Sequence, residues 1–148
     1  MKLIRTNSEN QDFIQLVKML DEYLAYVDGD DHAFYDQFNK IDALQHCIVI
    51  FEDENPVGCG AIKPYDKTSA ELKRMFVIPE FRGKGYASKI VSELERWAKE
   101  LGYEKVILET GINQLDAIRL YEKTYERMEN YGQYNGVENS LCFIKELK

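Results

Sequence analysis

The spacing of apolar positions switches between helical and strand periods along the chain. Phe13, Leu16, Val17, Leu20 and Leu24 recur at three- and four-residue intervals, which predicts a helix ending near residues 26–29. A short strand over residues 2–6 precedes it, and Ser8 with Gln11 is the expected capping-box pair. The turn Asp28-Gly29-Asp30-Asp31 follows, and Asp30 or Asp31 is placed to cap a second short helix carrying Phe34, Tyr35 and Phe38. Residues 46–51 (HCIVIF), 57–63 (VGCGAIK) and 69–78 (SAELKRMFVI) then read as three strands joined by turns, an antiparallel meander. After Pro79 to Gly85 comes a long helix with the stripe Ala87, Ile90, Val91, Leu94, Trp97, Ala98 and Leu101, and Gly102 stands where a left-handed end belongs. Residues 105–108 predict a buried strand and 114–123 a further helix, with Leu115, Ile118 and Tyr121 on one face. Strands over about 127–134 and 140–146 close the chain. A strand–helix–strand unit at the centre implies one parallel pair in a mostly antiparallel sheet, an α/β fold with helices on both faces.

Composition narrows the setting. At 148 residues, 45% of them hydrophobic, without repeats or linker-like tracts, a single domain over 1–148 is expected. No uncharged apolar run approaches the roughly 18 residues of a spanning helix, so no membrane role is expected. The N-terminal MKLIRTNSEN turns polar too soon for a signal peptide. Cys47, Cys59 and Cys142 form no CxxC pair, and His32 and His46 stand outside any metal-ligand spacing, so neither a disulfide framework nor a metal is expected. Each cysteine reads as a small buried hydrophobe in a reducing, cytoplasmic setting. A formal charge of −7 argues against nucleic acid as a partner. A homodimer is allowed but not required.

The chemistry concentrates at Arg82-Gly83-Lys84-Gly85-Tyr86-Ala87, between strand and helix. Glycine lets backbone approach a ligand closely, and the first N–H groups of a helix lack partners at its positive end. The combination suits a phosphate, with Arg82 and Lys84 adding charge. The alternative is a tight loop with two solvent-facing cations. The spacing is neither that of a GKS/GKT phosphate loop nor that of GxGxxG, so the diphosphate is not expected to belong to ATP or NAD.

Arg82-x-x-Gly85-x-Ala87 resembles the pyrophosphate signature of the GNAT N-acetyltransferase superfamily. Residues 71–79 (ELKRMFVIP) resemble that family's fourth strand, and 117–123 (AIRLYEK) resemble its A-x-x-L-Y-E-K helix. The three motifs stand in family order and the resemblance covers nearly the whole chain. It implies an enzyme using acetyl-CoA as acetyl donor. The pantetheine would lie along main chain near Phe76 and Val77, where the fourth and fifth strands part. The diphosphate would rest on the N–H groups from Gly83 through Lys84, Gly85, Tyr86 and Ala87 to Ser88.

Amine acetylation needs a proton acceptor, and Glu71 matches the general-base glutamate of part of the family. Strand alternation is expected to put Glu71, Lys73, Met75 and Val77 on one face and Leu72, Arg74, Phe76 and Ile78 on the other. Flanked by Ala70 and Leu72, the Glu71 carboxylate is expected to be partly withdrawn from water; the alternative is a structural pair with Lys73 or another cation. Tyr121 matches the tyrosine that protonates the departing thiolate, the alternative being a packed aromatic. The developing oxyanion would meet a strand N–H, that of Val77. Direct attack in a ternary complex needs no enzyme nucleophile.

Two departures from the family pattern stand out. Gln114 occupies the place of the N-x-x-A asparagine, with Asn113 one residue earlier, so either amide is a candidate for the cofactor. The glycine of Y-E-K-x-G-F/Y is missing from Tyr121-Glu122-Lys123-Thr124-Tyr125, so the helix must end in a strained left-handed residue or by another geometry. The acceptor region is expected to draw on Tyr23, Tyr26, Asp28, Asp30, Asp31, His32, Tyr35 and Tyr134, whose carboxylates and rings suit a cationic amine. The leading reading is acetyl transfer to a primary amine of a small or amino-acid-like molecule. A protein or peptide N-acetyltransferase and a silent acyl-CoA-binding sensor are the alternatives.

Overall fold

A computed structural model describes residues 1–29 and 43–148. Its elements are β1 (Lys2–Thr6), α1 (Gln11–Asp28), β2 (His46–Glu52), β3 (Asn55–Pro64), β4 (Ser69–Val77), α2 (Tyr86–Glu100), β5 (Lys105–Gly111), α3 (Leu115–Glu122), β6 (Glu126–Met128) and β7 (Ser140–Glu146). The expected second short helix with Phe34, Tyr35 and Phe38 lies outside the described residues, as do Asp30, Asp31 and His32. The strands form one sheet in the order β1-β2-β3-β4-β5-β7-β6. Among the described residues only β4 and β5 run parallel, as expected from the strand–helix–strand unit. No helix among the described residues is long and apolar enough to cross a membrane.

Both sheet faces are covered. Phe13, Leu16, Val17 and Leu20 of α1 pack on Cys47, Val49, Cys59, Ala61 and Phe76. On the other face, Ile90, Val91 and Leu94 of α2 and Tyr121 of α3 pack on Ile48, Ile62, Leu72, Val77 and Leu108. At the sheet edge, Arg5 of β1 reaches Glu93 at 2.9 Å and Glu100 at 2.8 Å, its guanidinium 4.8 Å from the Trp97 ring centroid.

Several boundaries differ from expectation for local reasons. Asn10, not Ser8, caps α1: its side chain accepts the Phe13 N–H at 3.0 Å. Ser8 instead exchanges hydrogen bonds with Leu44, its Oγ accepting Leu44 N–H at 3.1 Å and its own N–H donating to Leu44 O at 2.9 Å. The strand expected over 127–134 is only Glu126–Met128, and the chain then makes a 3-10 turn at Gly132–Tyr134. At the glycine-less exit of α3, Lys123 stays right-handed and the Thr124 and Tyr125 N–H groups both reach Tyr121 O, so no left-handed residue is needed.

The feature that decides the site is a bulge in β4. Cys59 faces Phe76 but Ala61 faces Lys73, leaving Gly60 opposite two residues, Arg74 and Met75. Arg74 takes up the slack with a φ of 60°, rare for a residue with a side chain. The bulge overturns the expected alternation. Met75 and Val77 join the α2 face with Leu72, while Arg74 and Phe76 turn toward α1. Glu71 lies on this second face, hydrogen-bonded to Tyr131. Gly60 matters because α2 sits directly on it: a Cβ there would come within 2.4 Å of Met75 Sδ and 2.8 Å of Ile90 Cγ2. Gly60→Ala should therefore destabilise the fold by about 1–3 kcal/mol, seen as a lower midpoint in urea unfolding; an unchanged midpoint would show that α2 shifts freely.

Candidate functional site

Parallel pairing of β4 with β5 covers only Ser69↔Lys105, Ala70↔Val106 and Glu71↔Ile107. Beyond Glu71 the strands part, because β5 stays with β7 to Gly111 while β4 follows the bulge toward β3. The gap opens into a cavity of about 400 Å³ between β4, the turn before α2, and α3. Phe76 and Val77 line it from the strand; Arg82, Gly83, Gly85, Tyr86, Ala87 and Ser88 line it from the turn and helix start; Gln114 and Tyr121 line it from α3. Ile78 N–H bonds Val57 O at 2.9 Å. Ladder alternation therefore turns the N–H and C=O of Val77 away from β3, toward the gap.

The turn has the form an anion needs. Gly83 and Gly85 have φ of 82° and 84°, and nothing lies within 4 Å of where a Cβ would project from either. Gly85 is the N-cap of α2 and no side chain caps that end, so the first N–H groups of the helix remain to be satisfied from the cavity side. These residues fit a diphosphate. Lys84 does not join them: its ammonium bonds Glu52 Oε1 at 2.8 Å, the same oxygen that accepts the Tyr86 hydroxyl at 2.5 Å. These two bonds hold the Glu52 carboxyl below its ordinary range. The reason is local, since Lys84 lies between two left-handed glycines and projects toward the β2–β3 turn. Arg82 is committed in part, donating from Nε to Val77 O at 2.8 Å and lying over the rings of Tyr23 and Phe76.

A smaller cavity of about 90 Å³ continues from the first, and Leu20, Met75, Gln114, Ala117 and Tyr121 border both. Glu71, Lys73, Arg74, Glu109 and Thr110 line it. Glu71 is 2% exposed and accepts the Tyr131 hydroxyl at 2.6 Å, with Lys63 Nζ 4.0 Å away. Burial, reinforced by the Glu71 carboxylate, pushes the Tyr131 phenol far above its ordinary range, so it remains a donor. Burial likewise raises Tyr121 and lowers the Lys73 ammonium, Glu71 opposing the latter.

The residues proposed for an acceptor separate. Tyr23 lines the larger cavity, Tyr26 is exposed, and Tyr134 is fully buried in a small core with Tyr131, Ile107 and Cys142, away from both cavities. Gln114, at the N-cap position of α3, borders both cavities, whereas Asn113 borders neither. Tyr35 falls outside the described residues. Sequence reasoning missed Tyr131, Glu109 and Thr110. For Arg74 the signal was present: a charged residue amid an apolar strand demands a partner, and its partner is Asp21 of α1 at 2.8 Å.

Comparison with known proteins gives this geometry its relatives. Residues 13–125 match the sequence model of the Acetyltransferase (GNAT) family. An IAA acetyltransferase of Azospirillum brasilense is 33% identical over 138 residues, covering 90% of each chain. An uncharacterized N-acetyltransferase of Schizosaccharomyces pombe is 28% identical over 147 residues, covering 93% of this chain and 90% of its own. A crystal structure from Klebsiella pneumoniae, described as an acyl-CoA N-acyltransferase, superposes with a TM-score of 0.83 at 25% identity, over 99% of this chain and 97% of that one. A GNAT acetyltransferase of Elizabethkingia anophelis with acetyl-CoA bound gives 0.68 at 17% identity, over 99% and 97%.

The cysteines stand apart from both cavities' linings. All three are buried and free, and burial raises their thiols, Cys47 to about 12 and Cys142 to about 11. Cys59 is raised as well and directs its Sγ to Arg74 O at 3.3 Å. A thiol this far above neutrality holds almost no thiolate. A disulfide reagent such as Ellman's should therefore count no rapid thiol in the folded protein at pH 8 and all three after denaturation. A fast-reacting thiol in the native state would contradict this environment.

Proposed function

The chain belongs to the GNAT acetyltransferase family, acetyl-CoA-dependent N-acetyltransferases, and from this premise we propose that it acetylates the primary amine of a small, amino-acid-like molecule by direct attack in a ternary complex. The observation that carries the reading is the junction of the two cavities at Tyr121 and Gln114. An anion-binding helix start lies at one end and a buried carboxylate at the other.

Acetyl-CoA supplies an activated thioester when bound. In this reading the N–H groups of Gly83, Gly85, Tyr86, Ala87 and Ser88 hold its diphosphate, with Arg82 at the rim, and main chain near Phe76 and Val77 takes the pantetheine amides, the Val77 carbonyl becoming available as Arg82 Nε turns from it to the ligand. Lys84, tied to Glu52, contributes by bracing the turn and not by contact. Glu71 receives the proton the acceptor ammonium must lose, directly or through a water. The Val77 N–H holds the carbonyl oxygen as the amine adds to the acetyl carbon. As the C–S bond breaks, Tyr121 gives its hydroxyl proton to sulfur; its raised phenol ensures that the proton is present. The amide nitrogen sheds its second proton to solvent, which restores Tyr121, and Glu71 releases the first, so one proton leaves per turnover.

Two measurements test the assignment. Gly85→Val places a branched Cβ in a left-handed turn and in the space an anion would fill. The expected result is a folded protein whose acetyl-CoA affinity, read by calorimetry, is lost; wild-type affinity would reject the cradle.

The second pair separates proton transfer from binding. Glu71→Gln should slow turnover by about 10²–10⁴-fold, and Tyr121→Phe should slow single-turnover transfer, both with acetyl-CoA affinity nearly unchanged. Unaltered rates would return both residues to structural roles. Turnover with peptides alone would favour a protein acetyltransferase, and binding without thiol release a sensor.

A further inference from the structure

Two buried polar atoms have no hydrogen-bond partner among the described residues, Arg74 Nη2 and Thr110 Oγ1. Both residues line the smaller cavity. The Arg74 side chain is 3% exposed, with Nη1 on Asp21 Oδ1 at 2.8 Å, so one arm of the guanidinium is anchored while the other is shielded from water and unpaired. A buried donor left in this state is unfavourable, and so is the left-handed backbone that aims it. The left-handed backbone belongs to the bulge, but the unpaired buried donor beside a cavity points to a ligand that relieves it.

The charges around the cavity define that ligand. Glu71 and Glu109 line the cavity with carboxylates and Lys73 and Arg74 with cationic side chains, all along the parting of β4 and β5. A simple amine beside Glu71 would leave Arg74 Nη2 stranded. Resting on the acetyltransferase reading, we infer that the acceptor is a zwitterion, an amino acid whose ammonium group faces Glu71 and whose carboxylate is taken by Arg74 Nη2. A carboxylate on a guanidinium forms a charge-assisted bond that strengthens away from water. Asp21 holds the guanidinium in place for it. Thr110, whose Oγ1 is likewise without a partner, lines the same cavity.

The test uses the intact chain with acetyl-CoA and release of free thiol as readout. The acceptors are the common amino acids, their carboxamides, and the amines left when the carboxylate is removed. The inference expects at least one amino acid to be acetylated with a KM about 10- to 100-fold below that of its decarboxylated amine, the worth of one charge-assisted hydrogen bond. In Arg74→Gln that ratio should fall toward one. Because the preference is measured first in the wild type, the outcome stands even where the variant does not fold. Amines accepted as well as their parent amino acids would overturn the zwitterion while leaving the acetyltransferase intact. Carboxamides accepted as well as the acids would overturn it in favour of a neutral carbonyl, as in a peptide. No thiol release with any of these acceptors would reject the small-molecule acetyltransferase reading and this inference with it.

Discussion

Two strands that begin side by side and cannot remain so are the constraint on which this molecule depends. β4 is drawn toward β3 by a bulge at Arg74, while β5 is held by seven residue pairs to β7. A parallel pair buried between two helical layers would ordinarily close its ladder along its whole length. Here the ladder stops after Glu71, and the unpaired backbone beyond it must find partners elsewhere. Both cavities, the orientation of the Val77 N–H and the passage between the sheet faces follow from that early separation.

The bulge also explains how one strand serves two layers. By changing the alternation at Arg74, it gives Leu72, Met75 and Val77 to the α2 face and leaves Glu71, Arg74 and Phe76 on the α1 face. Gly60, opposite, is the compensating absence of a side chain. Without it α2 would stand off from the sheet, and the turn that carries Gly83 and Gly85 would move with it.

Much of this was legible in the sequence. The order of the described elements, the parallel pair and the glycine turn follow from periodicity and turn chemistry, because these are local properties. The α1 cap shows the limit: Ser8 and Gln11 have capping-box spacing, but Ser8 is recruited by Leu44, a partner 36 positions away. Strict alternation through β4 failed because a bulge is written jointly by two strands, Gly60 on one and Arg74 on the other. Lys84 shows the same limit, since its ammonium is bonded to Glu52, at the end of β2 and 32 positions away. Tyr131 was unreadable because a strand was expected where the chain turns, and only that turn brings its hydroxyl to Glu71.

Among the described residues the sheet ends in β1 on one side and β6 on the other, and no described strand pairs with the outer side of either. Such borders invite a stray extended chain to add itself as one more strand. β6 offers little purchase at three residues. β1 is longer, but its exposed positions include Lys2 and Arg5, and Arg5 is drawn across to Glu93, Glu100 and Trp97 of α2. An incoming strand would have to displace or bury those charges. The clamp that fastens β1 to the helix thus also sets a charged barrier at that border.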